Sequence, residues 1–401
     1  MLNAELVNKD EEIIKFVDDL LKKAVEDKVV DIHVEPKDTY TQVRFKKDGV
    51  LFIPEGYDKI PKILHSYIID RIKVLTGTMR RDIDKRPQDG KLRKKIGEIG
   101  DVDLRVGTIP TIHGESIVMR VMKNDPYQLD IEKILNNDKY LIDTFKRNID
   151  TKDGVILFSG LSGSGKTTIA RAAVNEIAKN PLKIITIEDP VKVVIENTTQ
   201  VQVSNHFDVI FETAARQAYR MGIDVLYMSE IRNKEVAHMA LEGGLTGFLV
   251  LSAISTQNAI ETLFRLSQMG IKEYLTASTV KFIVSSRLAD KLCQHCKEEA
   301  VYSETELKAV GLTAKEIKEN TFYKSKGCEK CNQRGYSGRL AIIEMLELSH
   351  NMKDAFINGG DNEEITKIAK KDGVYYTLAD DALKKFKGGF IDLETARKFT
   401  L

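Results

Sequence analysis

The spacing of hydrophobic positions changes several times along the chain, and each change marks an element. Over residues 11–26, Ile13, Phe16, Val17, Leu20, Leu21, Ala24 and Val25 recur every three or four residues, which predicts an amphipathic helix. Residues 31–35 and 41–45 then alternate polar and apolar. The charged turn Lys46-Lys47-Asp48-Gly49 leads into the apolar run 50–53, so this stretch predicts a β-hairpin. Ile63, Leu64, Tyr67, Ile68, Ile72 and Leu75 line one side of a helix over about 60–76, and 102–106 and 116–121 read as further strands. Residues 1–123 are expected to form a small α+β domain.

A linker is expected over 124–140, opening on Lys123-Asn124-Asp125-Pro126. Beyond it, short apolar strands (154–160, 183–188, 224–230 and 248–253) alternate with helices (about 166–179, 207–220, 233–243 and 258–269). That alternation predicts an α/β domain over 141–290 with a doubly wound sheet. A cysteine-bearing segment follows over 291–345, and a Lys-rich segment with a helical pattern over 346–401. There is no internal repeat and no low-complexity tract.

The first of those strands, Val155-Ile156-Leu157-Phe158, runs into Gly160-Leu161-Ser162-Gly163-Ser164-Gly165-Lys166-Thr167, and Thr168-Ile169-Ala170-Arg171-Ala172-Ala173 continues as a helix. A glycine-rich turn between strand and helix, ending in Lys-Thr, is the P-loop arrangement. Its glycines let successive N–H groups point inward around a β-phosphate, the lysine brings a charge to the β- and γ-oxygens, and the threonine hydroxyl is placed for Mg²⁺. The expected nucleotide-binding residues are Gly160, Ser162, Gly163, Ser164, Gly165, Lys166, Thr167 and Thr168, with ATP and Mg²⁺ as ligands. Two acids, Glu188 and Glu230, end later strands, and strand C-termini face the ligand crevice of an open α/β sheet. One acid can polarise water and the other can help hold Mg²⁺ through its waters; as plain residues, both would cap the following turn.

Four cysteines form two C-x-x-C pairs, Cys293 with Cys296 and Cys328 with Cys331. Four thiolates on two such turns suit a closed, structural tetrahedral Zn²⁺ site, and Gly327 and Gly335 permit the tight turns. His295, inside the first pair, reads as a bystander. Reduced, unliganded pairs are the alternative.

Lys plus Arg number 61 and Asp plus Glu 60, so no global field draws the chain onto nucleic acid or anionic lipid. Lys91-Leu92-Arg93-Lys94-Lys95 reads as solvated surface. A RecA-like nucleic-acid motor, the reading that a P-loop beside a cysteine knuckle invites, lacks the basic stripe with stacking aromatics. The opening Met1-Leu2-Asn3-Ala4-Glu5 has no basic flank before an apolar core, and no run reaches the roughly 18 apolar residues of a membrane helix. A cytoplasmic location is expected.

These segments together resemble the secretion ATPases of type II secretion and type IV pilus assembly, over nearly the whole length. In the first domain the resemblance rests on Asp31-Ile32-His33-Val34-Glu35-Pro36, Arg86-Pro87-Gln88-Asp89-Gly90 and Thr108-Ile109-Pro110-Thr111-Ile112-His113-Gly114-Glu115. In the second it rests on the P-loop, on Glu188-Asp189-Pro190 (similar to an aspartate box), on Ser229-Glu230-Ile231-Arg232 (similar to a modified Walker B segment), and on Gly327–Cys331 with Gly335–Arg339 (similar to the zinc segment). The resemblance implies a PAS-like N-terminal domain joined flexibly to a RecA-like P-loop NTPase domain, and nucleotide between the two. It further implies a homohexameric ring that turns over ATP to drive pilus or pseudopilus subunits out of the inner membrane. The implied partner is an inner-membrane platform protein, with peripheral membrane association through partners and no nucleic acid. Arg105 and Arg120 match arginines that reach the phosphates; a cross-strand salt bridge is their alternative reading. Arg216 and Arg220 match positions that reach a neighbouring subunit, with solvated helix-face charge as the alternative. Retraction motors of the family generally lack the tetracysteine segment, so its presence favours extension or secretion.

The sequence departs from the family pattern at several points. Phe248 and Ser255 stand where two histidines are usual, Ser229 replaces the Walker B glycine, and Gly222 replaces an aspartate. Fast turnover is therefore in question: a slow ATPase is one expectation, and a nucleotide-gated scaffold of the same machinery is the other. Secretion relatives often carry a further N-terminal docking module, so docking by another surface is expected of this sequence.

Overall fold

The computed structural model describes residues 9–47, 50–77, 79–80, 86–96, 100–122, 129–203 and 210–400. The expected hairpin turn at 48–49, the linker opening at 123–126 and positions 207–209 of the helix expected over 207–220 lie outside the described residues. The chain divides into two compact units, Met1–Asp125 and Pro126–Leu401.

Unit 1 contains α1 (Lys9–Glu26), β1 (Asp31–Pro36), β2 (Tyr40–Lys47), β3 (Val50–Phe52), β4 (Ile60–Pro61), α2 (His65–Thr76), β5 (Gln88–Ile96), β6 (Gly100–Thr111) and β7 (Gly114–Met122). Its antiparallel sheet runs β3-β2-β1-β7-β6-β5, with β4 beside β2. The strands bury alternate side chains (Ile32 and Val34, Val43 and Phe45), and these pack with Val17, Leu20 and Leu21 of α1 and Ile68 and Ile72 of α2. Full burial of such a side chain contributes about 1.5–3 kcal/mol, so this single apolar face holds the unit together. Lys91–Lys95 turns out to be strand, part of β5 at the sheet edge. Lys91, Arg93 and Lys95 are exposed and Lys94 pairs with Asp18 of α1, while Leu92 and Ile96 point into the core. Charged side chains on an edge strand also discourage pairing with another chain. Glu115, the second residue of β7, forms a buried ion pair with Lys73 of α2 at 2.6 Å, which ties helix to sheet.

Unit 2 begins with α3 (Ile131–Ile134), α4 (Lys139–Ile149), β8 (Gly154–Ser159), α5 (Lys166–Ile177), β9 (Ile184–Glu188), β10 (Thr198–Gln202), α6 (Phe211–Ala218) and β11 (Val225–Met228). Next come α7 (Lys234–Leu245), β12 (Leu249–Ile254), α8 (Ala259–Gln268), α9 (Glu273–Thr279), β13 (Val280–Leu292) and β14 (Glu298–Glu299). The last elements are α10 (Glu304–Ala309), α11 (Ala314–Glu319), β15 (Tyr323–Lys324), β16 (Tyr336–Glu347), α12 (His350–Ile357), α13 (Asn362–Lys371), β17 (Tyr375–Tyr376), α14 (Leu378–Lys387) and α15 (Leu393–Thr400).

The main sheet runs β10-β9-β11-β12-β8-β13-β16-β17. It is parallel from β10 to β13 and antiparallel from β13 to β17. Its central strands are almost wholly apolar because both faces are covered. In β8, Val155 and Leu157 face a core shared with α6–α9, α12 and α13, while Ile156 and Phe158 face one built on α3–α5. A further apolar cluster joins Leu307, Phe322 and Leu340 with Phe386 and Leu393, so the cysteine-bearing segment and the last two helices share a core. No described helix is long and apolar enough to cross a membrane.

Candidate nucleotide site and cysteine cluster

β8 ends at Ser159, and the chain turns through Gly160, Gly163 and Gly165, all at positive φ, before α5 begins. At Gly160 a Cβ would fall 2.2 Å from Ser164 Oγ and 2.7 Å from the Ser286 carbonyl, so only glycine fits this approach. Gly165 is the N-cap of α5 and supplies no side-chain cap, leaving the head of the helix for an anion. Ser162 is exposed and Ser164 buried, while Thr167 and Thr168 are half-buried in the first turn. Lys166 lies folded back, its Nζ 3.5 Å from the Leu161 carbonyl of the same loop.

The two strand-end acids have opposite surroundings. Glu188, the last residue of β9, is fully buried. Its Oε2 accepts from Arg171 Nε at 3.0 Å and Nη2 at 2.9 Å, and its Oε1 accepts from Thr186 Oγ1 at 3.1 Å and Gln200 Nε2 at 3.0 Å. Arg171 comes from α5, so this pair locks the P-loop helix to the neighbouring strand. Glu230, two residues beyond β11, keeps 29% of its side chain exposed. It accepts from Arg232 Nε at 3.1 Å and from Ser255 Oγ at 3.1 Å, and Arg232 Nη1 also reaches Asp189 Oδ2 at 3.1 Å. Tyr227 is fully buried, its hydroxyl has no hydrogen-bond partner among the described residues, and burial pushes the phenol well above its ordinary range. Arg171, Tyr227 and Arg232 were not among the expected site residues. The readable signal for Arg171 is a charge among Ile169, Ala170, Ala172 and Ala173, all of them buried.

Phe248 and Ser255 lie at opposite ends of β12. Leu249 is in register with Gly154, and Ile254 with Ser159 at the mouth of the P-loop. At about 3.3 Å per residue the strand separates its ends by roughly 17 Å. Ser255 therefore sits on the P-loop side of the sheet, touching Glu230. Phe248 lies on the far side, stacked on Tyr219 at 5.5 Å. Arg216 is on α6, whereas Arg220 follows the helix end.

Arg105 and Arg120 belong to unit 1, where they face each other across β6 and β7. Arg120 Nε donates to Asp31 Oδ1 at 2.7 Å, and Arg105 Nη2 lies 3.6 Å from Asp89. Both side chains are more than half exposed. Two like charges side by side repel, and these acids offset the repulsion.

The four cysteines converge, with all four Sγ atoms within 4.8 Å of one another. Cys293–Cys328 is 3.9 Å, Cys296–Cys331 is 3.8 Å and Cys328–Cys331 is 3.7 Å. With Zn–S bonds of about 2.3 Å, a tetrahedral site has S···S edges of about 3.8 Å, so this donor set fits Zn²⁺ closely. Backbone amides of Cys328 and Gly335 both lie 3.2 Å from Cys331 Sγ, hydrogen bonds that favour a thiolate. His295 lies beside Lys330 and is not one of the clustered ligands. Elemental analysis of the purified chain is expected to find about one zinc per chain, lost in Cys331→Ser; well under one in the parent would remove the assignment.

A mostly parallel sheet with a glycine-rich phosphate turn at the head of α5 defines unit 2 as a RecA-like P-loop NTPase fold. A sequence model of the family described as "Type II/IV secretion system protein" matches residues 7–398, and the chain belongs to that family. It is 35% identical over 388 residues to the type IV pilus assembly ATPase PilB of Myxococcus xanthus, covering 96% of this chain and 67% of that protein. It is also 35% identical over 381 residues to PilB of Thermus thermophilus, covering 95% of this chain but 42% of that relative, so it spans less than half its length. The type II secretion system ATPase E of Vibrio cholerae is 32% identical over 405 residues, covering 99% of this chain and 78% of that protein. Among solved structures, the pilus retraction motor PilT with bound ADP matches with a TM-score of 0.68 at 20% identity, covering 95% of this chain and 96% of the other. The ATPase DotB of Legionella pneumophila matches with 0.67 at 18%, covering 96% and 94%. At these identities the likeness is one of fold.

Proposed function

We propose that this chain is a cytoplasmic ATPase that powers assembly of a type IV pilus or a type II secretion pseudopilus at the inner membrane. It works as a homohexamer docked on a membrane platform protein. The observation that carries the reading is the uncapped head of α5, with Gly160 and Gly165 shaping the turn and Lys166 at the first helical position in a long 3.5 Å contact with the Leu161 carbonyl. The functions of the relatives, pilus assembly and type II secretion, agree with it.

In this reading Lys166 leaves the Leu161 carbonyl for the β- and γ-phosphate oxygens, and the loop amides cradle the β-phosphate. The Thr167 hydroxyl, with waters on the acidic side, would hold Mg²⁺, which would supply charge neutralisation at the same oxygens. Glu230 orients the attacking water and takes its proton, being the acid that is exposed and only partly engaged. Glu188, whose four hydrogen bonds are already made, keeps α5 and β9 in place. Arg105 and Arg120, adjacent and exposed, are assigned to the developing phosphoryl charge. Glu230→Gln is the direct test. Removing a general base costs about 10²–10⁴ in rate, so kcat is expected to fall at least 100-fold with nucleotide affinity retained; unchanged turnover would return the role to Glu188.

A slow or inactive nucleotide-gated scaffold is the second reading. It is favoured by Ser255, which holds Glu230 with a hydroxyl where the family resemblance implies an imidazole. A single-turnover hydrolysis assay separates the two. Ser255→His is expected to raise steady-state turnover several-fold, whereas Phe248→His, at the far end of β12, is expected to leave it unchanged. An unaltered rate in Ser255→His would count against a role for that position.

A further inference from the structure

The loop Ser255-Thr256-Gln257-Asn258 connects β12 to α8 and carries the hydroxyl that holds Glu230. Two groups from the antiparallel side of the sheet tie it down. Arg287 of β13 donates from Nη2 to the Gln257 carbonyl at 3.3 Å. Glu344 of β16 accepts the N–H of Ala259, the first residue of α8, at 3.0 Å on Oε2, and its Oε1 accepts the hydroxyl of Tyr375 in β17. Glu344 is 1% exposed and is flanked by Ile342, Ile343, Met345 and Leu346, all buried. An apolar strand gains nothing in packing from a carboxylate there. The acid does satisfy one of the orphan donors at the head of α8, where the helix dipole also favours negative charge.

We propose that Glu344 is a positioning residue for the water-activating acid. By fastening the Ala259 amide to Tyr375, it holds the 255–258 loop where Ser255 meets Glu230, and so couples the C-terminal segment to the catalytic side of the sheet. The inference rests on the ATPase reading above. Sheet register supports it: Glu344 pairs with Ser285, and Ser285 pairs with Ser159, the residue before Gly160. A shift of β16 would therefore reach both the P-loop mouth and the Ser255 loop. Burial pushes the Glu344 carboxyl above its ordinary range, while the bonds from Tyr375 and Ala259 and the charge of Arg287 pull against it.

The test compares Glu344→Ala, Glu344→Gln, Ser255→Ala and the Glu344→Ala/Ser255→Ala pair in the full chain. Glu344→Ala is expected to lower kcat about tenfold with KM and nucleotide affinity within about twofold. Glu344→Gln should recover most of the loss, because its carboxamide oxygen can take the Ala259 N–H and its NH₂ can donate to the Tyr375 oxygen. With Ser255 already alanine, the further loss should be less than about twofold. A full tenfold loss in that background, or a raised KM at unchanged kcat, would overturn the proposal. Hydrogen exchange in the same proteins reads the clamp without turnover: the peptide spanning 255–260 should exchange faster in Glu344→Ala with nucleotide bound, and unchanged exchange there would also overturn it. If the parent chain hydrolyses no ATP, the motor reading fails and the exchange result alone decides for or against the clamp.

Discussion

Lys166→Ala is expected to weaken nucleotide binding by roughly 10- to 100-fold and to reduce ATP hydrolysis to background. Among the described residues the ammonium's polar contact is the Leu161 carbonyl at 3.5 Å, so its loss removes little from the fold. With nucleotide bound it would make charge-assisted hydrogen bonds to phosphate, each worth about 1.5–3 kcal/mol, and that range sets the expected loss of affinity. The effect on rate is larger because charge on the transferred phosphoryl group needs the same cation in the transition state. A fluorescent-nucleotide titration and a phosphate-release assay measure the two effects, and an unchanged melting temperature would show that the fold is intact. Retained affinity and retained turnover would dispose of the nucleotide site as described.

Arg171→Ala should have the largest effect on stability. It leaves the Glu188 carboxylate with no counter-charge at a position that is 0% exposed, although Thr186 and Gln200 still donate to its other oxygen. Breaking a buried pair on one side costs about 3–5 kcal/mol, because a charge remains in a low-dielectric interior. For a unit of this size that corresponds to a fall of about 10 °C in melting temperature. The cost comes from the stranded charge more than from the lost bond, so Arg171→Met with Glu188→Gln should recover most of the loss. A single Arg171→Ala variant melting within about 2 °C of the parent would show that the pair carries no such weight. In nucleotide binding, the same variant is expected to be milder than Lys166→Ala, because Arg171 acts on the phosphate only by holding α5 against β9.

The P-loop, the two C-x-x-C pairs and the alternation of strand and helix were readable in one dimension. Each is written in a few adjacent residues with a local geometry: the glycines of the P-loop turn take positive φ, and two residues between cysteines let both thiols face one ligand from a single turn. The central strands were equally plain, since being covered on both faces demands unbroken apolar runs such as Val155–Phe158. β5 was not, because its charged residues outnumber its two core residues, Leu92 and Ile96, and look like surface. β13 and β16 also went unread. Their buried serines and the buried Glu344 interrupt the hydrophobic signal at the positions where the antiparallel side meets the site.

The roles of individual polar groups were decided by tertiary structure. Glu188 and Glu230 end similar strands and read alike; Arg171 and Gln200, 17 residues before and 12 after Glu188, saturate the first. Ser255, 25 residues away, meets the second. Phe248 and Ser255 looked equivalent as replaced histidines until the register of β12 against β8 put them at opposite ends of a strand. Local spacing can specify which chemical groups a chain carries and what turn each rides on. Whether a carboxylate is free to take a proton depends on which distant donors the packing brings within hydrogen-bonding reach, and that depends on contacts made only when the sheet is assembled.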